Sequence, residues 1–391
     1  MRPLLFLASL LSSALPAAAQ IAPSAPPRTK DTAPVPCLRG DPGRAAYSGS
    51  VELASFTSCA GGSAWPWVAR AAPGGPFLYV SLFGGIIGSS GCEVLKLDAR
   101  THAVVRRIPT GLGPQEIVFL EDGDGRTRYW LVANSTASSV SVFDSRDELV
   151  TEIALPFDAG AAWPTAFPSG LAVAPDQSRV FVGTLDDSGR VFAIDTASFT
   201  LAPAETLTLG ADHTLGRMLF AGGRLVVPAT LHTPDFSAST AKLVFVDPRD
   251  PSTAAELVLA SASDGIHFPS VQDLELACDG RLFAAGFDMG PQVFVVDPAA
   301  AVLLGTIPTG TPGPGKFQAL ALSERGLLVV ADLWYDEVAF LDAWRESWIE
   351  TLDLRTLPLA HDQVNELVFE RSGRLVAVCQ ASDNLAVFGV R

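Results

Sequence analysis

The chain has 391 residues, 48% hydrophobic and only 18% charged, with 34 Gly and 29 Pro. The apolar fraction excludes global disorder, and Gly and Pro without a three-residue period exclude collagen while inviting turns at regular intervals. A formal net charge of −15 disfavours nucleic acid and anionic membrane surfaces as partners.

Residues 1–19 combine one cation, Arg2, with a short apolar run and Ala17-Ala18-Ala19 before Gln20. This is the pattern of a secretory signal peptide cleaved after Ala19, and the run is too short to span a bilayer. A secreted or periplasmic protein without a membrane span is therefore expected. Residues 20–46 are rich in Pro and Ala and read as an extended linker, with Cys37 its one anchor.

The remainder, 47–391, is a repeat. An apolar strand ending in Asp recurs at Asp98, Asp144, Asp195, Asp247, Asp297 and Asp342, and a related strand reaches Gly389. Successive spacings are 46, 51, 52, 50, 45 and 47 residues. Two strands precede the Asp-ended one in each unit. The first strands include EIVFL from Glu116, GLAVA from Gly170, RMLFA from Arg217, DLELA from Asp273, ALALS from Ala319 and ELVFE from Glu366. The second strands include RYWLVAN from Arg128 and LLVVADL from Leu327, and a weaker fourth strand closes each unit. Four short strands rich in β-branched and aromatic residues form one antiparallel sheet, which buries both faces only against copies of itself. The expectation is an all-β, seven-bladed β-propeller of four-stranded antiparallel blades, monomeric and closed by an N-terminal strand. Because the last unit ends after its third strand, Ser50–Thr57 is predicted to complete blade seven and remove its open edge.

LVANSTASSVSVFD (Leu131 to Asp144) resembles the YVTN-family propeller repeat, as do DARTHAVVRRIPTGLGPQEIVF from Asp98 and LAVAPDQSRVFVG from Leu171. The resemblance extends over about residues 47–391 and implies an extracytoplasmic propeller, with lactonases among the seven-bladed relatives.

Strand order places the loops between units, and those between second and third strands, on one face. Four of the five histidines fall there: His213, His232, His267 and His361; His102 belongs to the opposite face. The first inner-strand residues, Glu116, Gly170, Arg217, Asp273, Ala319 and Glu366, form a ring at the channel mouth, each preceded by a small or polar residue such as Gln272. Three carboxylates among amide oxygens suit Ca²⁺; Asp273 with His213, His267 or His361 suits a transition metal; Glu116, Arg217, His213 and Glu366 suit acid/base catalysis. A solvated rim in which Arg217 neutralises an acid needs none of these. Trp65, Trp67, Trp163, Trp334 and Tyr335 join Gln272 and Asp273 as candidate ligand contacts. Among five cysteines, Cys59–Cys92 is the expected disulfide, Cys37–Cys59 its competitor, and Cys278 and Cys379 are expected as buried free thiols. The leading functional expectation is a non-enzymatic scaffold that binds protein or glycan at the cell envelope. The alternative is a hydrolase or lactonase-like enzyme, metal-assisted or not, at the channel mouth.

Overall fold

The computed structural model describes residues 38, 40–53, 56, 63–84, 91–157, 165–235, 237–311, 315–359 and 361–390. The leader up to Ala19, most of the linker, Cys37, Cys59 and Trp163 lie outside them.

Seven antiparallel sheets make up the fold, and in all but blade seven the strands run outward from the inner one in sequence order. Blade one starts with Pro66–Ala71, blade two with Pro114–Glu121, blade three with Pro168–Val173, blade five with Ser270–Leu276, blade six with Phe317–Leu322 and blade seven with Val364–Phe369. Each inner strand touches those of the blades beside it, and blade seven's touches blade one's, so the sheets form a closed ring.

Closure uses the predicted segment with shifted bounds. The N-terminal strand is Ala45–Glu52 and pairs antiparallel with Asn384–Val390, from Ala45 opposite Val390 to Glu52 opposite Asn384. The propeller therefore begins two residues before the expected boundary at 47. The strand ends at Glu52, and Leu53 buries its side chain at the junction of blades seven and one.

The near-continuous apolar runs have a simple origin. Neighbouring residues of a strand point to opposite sheet faces, and here both faces meet another blade. In Leu327–Asp332 of blade six, Leu327, Val329 and Ala331 enter the apolar cluster shared with blade seven, whereas Leu328 and Val330 enter the one shared with blade five. One such cluster fills each of the seven interfaces. The Asp ending the third strand of blades one to six caps the following turn. Asp98 Oδ1 accepts from the amides of Arg100 and Thr101, and Asp297 Oδ1 from those of Ala299 and Ala300.

Two blades depart from the pattern. Blade three's outer strand is split into Thr200–Leu201 and Leu207–Thr208 around a 3-10 turn, Pro203–Glu205. Blade four's inner strand, expected as RMLFA from Arg217, is broken into His213–Leu215 and Leu219–Ala221. Its outer strand runs to Ala262, which leaves a connection of seven residues, 263–269, before blade five's inner strand.

Candidate functional site at the channel mouth

The ring positions are set by a repeated irregularity. In blades three, five, six and seven the register shifts between Pro168 and Gly170, Val271 and Asp273, Phe317 and Ala319, and Val364 and Glu366. Blades one and two carry the same interruption between Pro66 and Ala69 and between Pro114 and Ile117. A bulge bends its strand and redirects a side chain, and these bring the ring residues of separate blades together.

Their meeting point is Arg217, in the break of blade four's inner strand. Its Nε donates to Glu116 Oε2 at 2.6 Å and its Nη1 to Asp273 Oδ1 at 2.9 Å, and Nη2 donates to Glu366. Arg70, a second guanidinium, donates through Nε to Glu116 Oε1 at 2.9 Å and places Nη1 2.8 Å from Glu366 Oε2. The carboxylates also accept backbone amides: Ile117 N on Glu116, Leu274 N and Leu320 N on Asp273, and Leu367 N on Glu366. Blades one, two, four, five, six and seven are thus tied into one knot across the channel. The three acids are buried, whereas Arg217 keeps 19% of its side chain exposed. Desolvation opposes the Arg217 charge, but Asp273, Glu366 and Glu116 outweigh it and hold its pKa well above the ordinary arginine value. Burial, together with Asp273 and Glu116, holds Glu366 above the usual carboxylate range despite both guanidiniums.

Blade three contributes a space. A Cβ on Gly170 would lie 2.6 Å from Gly216 O and 3.3 Å from Arg217 Cα. Glycine at this ring position lets the backbone carrying Arg217 approach the blade. Gly170→Ala should therefore cost about 1–2 kcal/mol through forced backbone displacement. Thermal unfolding checks this, and an unchanged midpoint would show that the approach is not required.

Two channel residues were missed in the sequence. Arg70 and Glu275 lie two positions beyond the ring sites of blades one and five, and period-2 alternation puts them on the same strand face. Blade one has apolar Val68 at the ring site and its charge one step further along; that offset is the signal that would have found it. Glu275 enters no ion pair among the described residues. Desolvation, then the negative charge of Asp273, push its carboxyl up to about 8.

Guanidiniums occupy the center between the carboxylates of Glu116, Asp273 and Glu366, and the histidines named as candidate metal ligands each engage a different partner. His213 Nδ1 lies 2.9 Å from Ala211 O, His267 Nδ1 2.6 Å from Asp264 Oδ2, and His361 Nδ1 2.7 Å from Asn384 Oδ1. Among the described residues, no group of three or more His, Cys, Asp or Glu side chains is arranged to hold a metal ion. Burial lowers the His361 pKa, whereas the hydrogen bond that His267 donates to Asp264 raises that of His267. His102 lies away from the channel mouth, 2.9 Å from Glu370.

The aromatic candidates separate into two groups. Trp65 and Trp67 pack at the closure seam. Trp65 N donates to Asp383 Oδ1 at 2.6 Å, the Trp67 carbonyl accepts from Asn365 Nδ2 at 2.8 Å, and the Trp67 ring lies 4.9 Å from that of Phe83. Gln272 donates to Ser270 Oγ at 2.8 Å. Trp334 and Tyr335 stand outward, 68% and 36% exposed. Their turn is held by Asp332, whose Oδ1 accepts both their amides and whose Oδ2 accepts that of Lys316. Lys316 Nζ sits 4.6 Å from the Trp334 ring center and 2.6 Å from Asp288 Oδ1.

Cys92 and Cys278 are each in a disulfide, which corrects the expectation of a free thiol at Cys278. The turn after blade five's inner strand gave it the appearance of a packing residue. The expected Cys59–Cys92 pairing involves a residue outside the described set. Cys379 is free and buried, and desolvation pushes its thiol pKa far up.

No family model and no curated protein matches the chain. Solved structures do. A hydrazine synthase chain from Kuenenia stuttgartiensis aligns with a TM-score of 0.64 at 17% identity, covering 87% of this chain and 98% of that one. The β-propeller domain of Cps50 from Myceliophteria thermophila aligns at 0.63 and 14% identity, covering 89% and 100%. Virginiamycin B lyase from Staphylococcus aureus aligns at 0.62 and 8% identity, covering 88% and 99%. At these identities the likeness is one of fold, and it agrees with seven blades in a closed ring.

Proposed function

We propose that the protein is an exported propeller of the YVTN-repeat type, a monomer that acts as a non-enzymatic scaffold binding a protein or glycan at the cell envelope. The supporting observation is a division of labor on one face. The candidate catalytic groups Glu116, Arg217 and Glu366 are engaged with one another, while Trp334 and Tyr335 stand exposed on a turn braced by Asp332. Among the described residues, no helix is long and apolar enough to cross a membrane. Export rests on the leader. Amino-terminal sequencing of the mature protein should begin at Gln20, and retention of Met1 in an intracellular protein would contradict export.

The scaffold reading predicts that Trp334→Ala with Tyr335→Ala removes at least about tenfold of the binding to envelope material. Arg249→Ala, on the opposite face, should leave binding intact. Equal retention by both variants would contradict the reading. The enzymatic alternative draws on one observation, that Glu275 is a neutral carboxylic acid beside the channel at pH 7, the state required of a general acid. Lactone turnover abolished by Glu275→Gln, with folding retained, would favor it over the scaffold.

A further inference from the structure

The exposed aromatics continue into an acidic rim. Asp336 and Glu337 follow Tyr335 directly, and Asp353 pairs across the sheet with Glu337. Asp362 adjoins Gln363, whose amide donates to Asp336 Oδ1 at 2.8 Å. Asp353 is held by Arg355, at 2.8 Å from Nε. Asp336, Glu337 and Asp362 enter no ion pair among the described residues, and Glu337 Oε2 is buried without a hydrogen-bond partner. Among the described residues, the cation against Trp334 is Lys316, and Asp288 already neutralises it.

Deepening the scaffold reading, on which it rests, we propose that this rim of blades six and seven docks a basic protein segment, with Trp334 and Tyr335 receiving its cationic side chains and Asp336, Glu337 and Asp362 matching its charge. Three observations favor that occupant. The Trp334 indole is 68% exposed and already holds the Lys316 ammonium, and guanidinium or ammonium groups are attracted to such rings. The adjacent carboxylates outnumber their local cation, Arg355. Two of them respond to the crowding: desolvation, with Asp362 and Asp353 as like-charged neighbors, raises Asp336, and desolvation, with Asp332 and Asp353, raises Glu337. An arriving cation relieves that repulsion, whereas a neutral sugar leaves it in place. The whole chain, at −15, also attracts a basic partner over distance.

The test titrates the full chain with a fluorescein-labelled peptide of alternating Arg and Ser, read by anisotropy at low and at physiological salt. The alternating Gln and Ser peptide serves as neutral control, and cellohexaose as neutral glycan. Expected is binding of the Arg peptide that weakens with salt. Trp334→Ala should reduce it about tenfold, and Glu337→Gln with Asp362→Asn about fivefold, with a flatter salt dependence. Asp124→Asn, in a distant turn of blade two, should change nothing. Equal binding of the Arg peptide by Trp334→Ala, or of the Gln peptide by the unmodified chain, overturns the proposal. Trp334-dependent binding of cellohexaose without the peptide overturns it but leaves the scaffold reading standing. If neither probe binds in a Trp334-dependent way, both readings fall.

Discussion

Replacing Arg217 with Gln should destabilise the protein by about 3–5 kcal/mol at pH 7, because it leaves buried carboxylates without their shared cation. Asp273 loses the guanidinium that pairs with it among the described residues and keeps the amides of Leu274 and Leu320. Glu116 and Glu366 retain Arg70. Arg217→Lys should fall between, since an ammonium carries the charge but cannot reproduce a fork that reaches three acids. Adding Glu366→Gln to Arg217→Gln should restore part of the loss, and a double-mutant cycle by chemical denaturation measures that coupling. Acidification should narrow the gap between Arg217→Gln and the parent, because protonated acids no longer repel. A variant that unfolds at the parent's denaturant midpoint would show that the knot contributes no net stability, as happens when desolvation cancels attraction.

Glu275 sets the second expected result. Its carboxyl lies at about 8 in the folded protein, raised first by desolvation and then by Asp273, against about 4.5 when exposed. The folded state therefore holds a proton that the unfolded state has released. The stability Glu275 contributes is fully present below about pH 4.5 and is lost as the pH rises toward about 8. Glu275→Gln cannot ionise, so above pH 8 it should be more stable than the parent by about 3 kcal/mol, allowing for partial solvation by the channel. At pH 4 the two should nearly coincide. Thermal melts across that range check the sign, and a variant that loses stability at every pH would mean that Glu275 is held by a partner it requires.

The blade count was readable because a strand ending in Asp recurs six times and a related strand, with Gly389 in place of Asp, makes the seventh. Each repeat buries two faces and caps one turn, so selection of side chains by local chemistry leaves a period of 45 to 52 residues. The meeting of Glu116, Asp273 and Glu366 at Arg217 was anticipated as a ring with Arg217 neutralising an acid. What the sequence concealed was Arg70, because blade one's bulge spans Trp67 and Val68 and displaces its charged residue by two positions. Cys278 illustrates the limit for disulfides: its spacing from the other cysteines carries no information about proximity in a ring. Blade four's broken inner strand was equally hidden, since RMLFA has the composition of an ordinary strand and its interruption follows from Arg217 reaching across the channel.

Composition and periodicity by themselves determined the architecture. The Gly and Pro mark recurrent turns, and the apolar fraction is divided among seven interfaces. These are properties of local strand chemistry repeated along the chain. Only the tertiary structure decided which polar residues meet. Arg217 lies 101 residues from Glu116 and 149 from Glu366, and their contact depends on bulges, on the absent side chain of Gly170 and on ring closure. It also decided that Trp65 and Trp67 pack at a seam while Trp334 stands in solvent. Exposure is a property of the neighbors a residue acquires on folding, and identical side chains in similar loops acquire different ones.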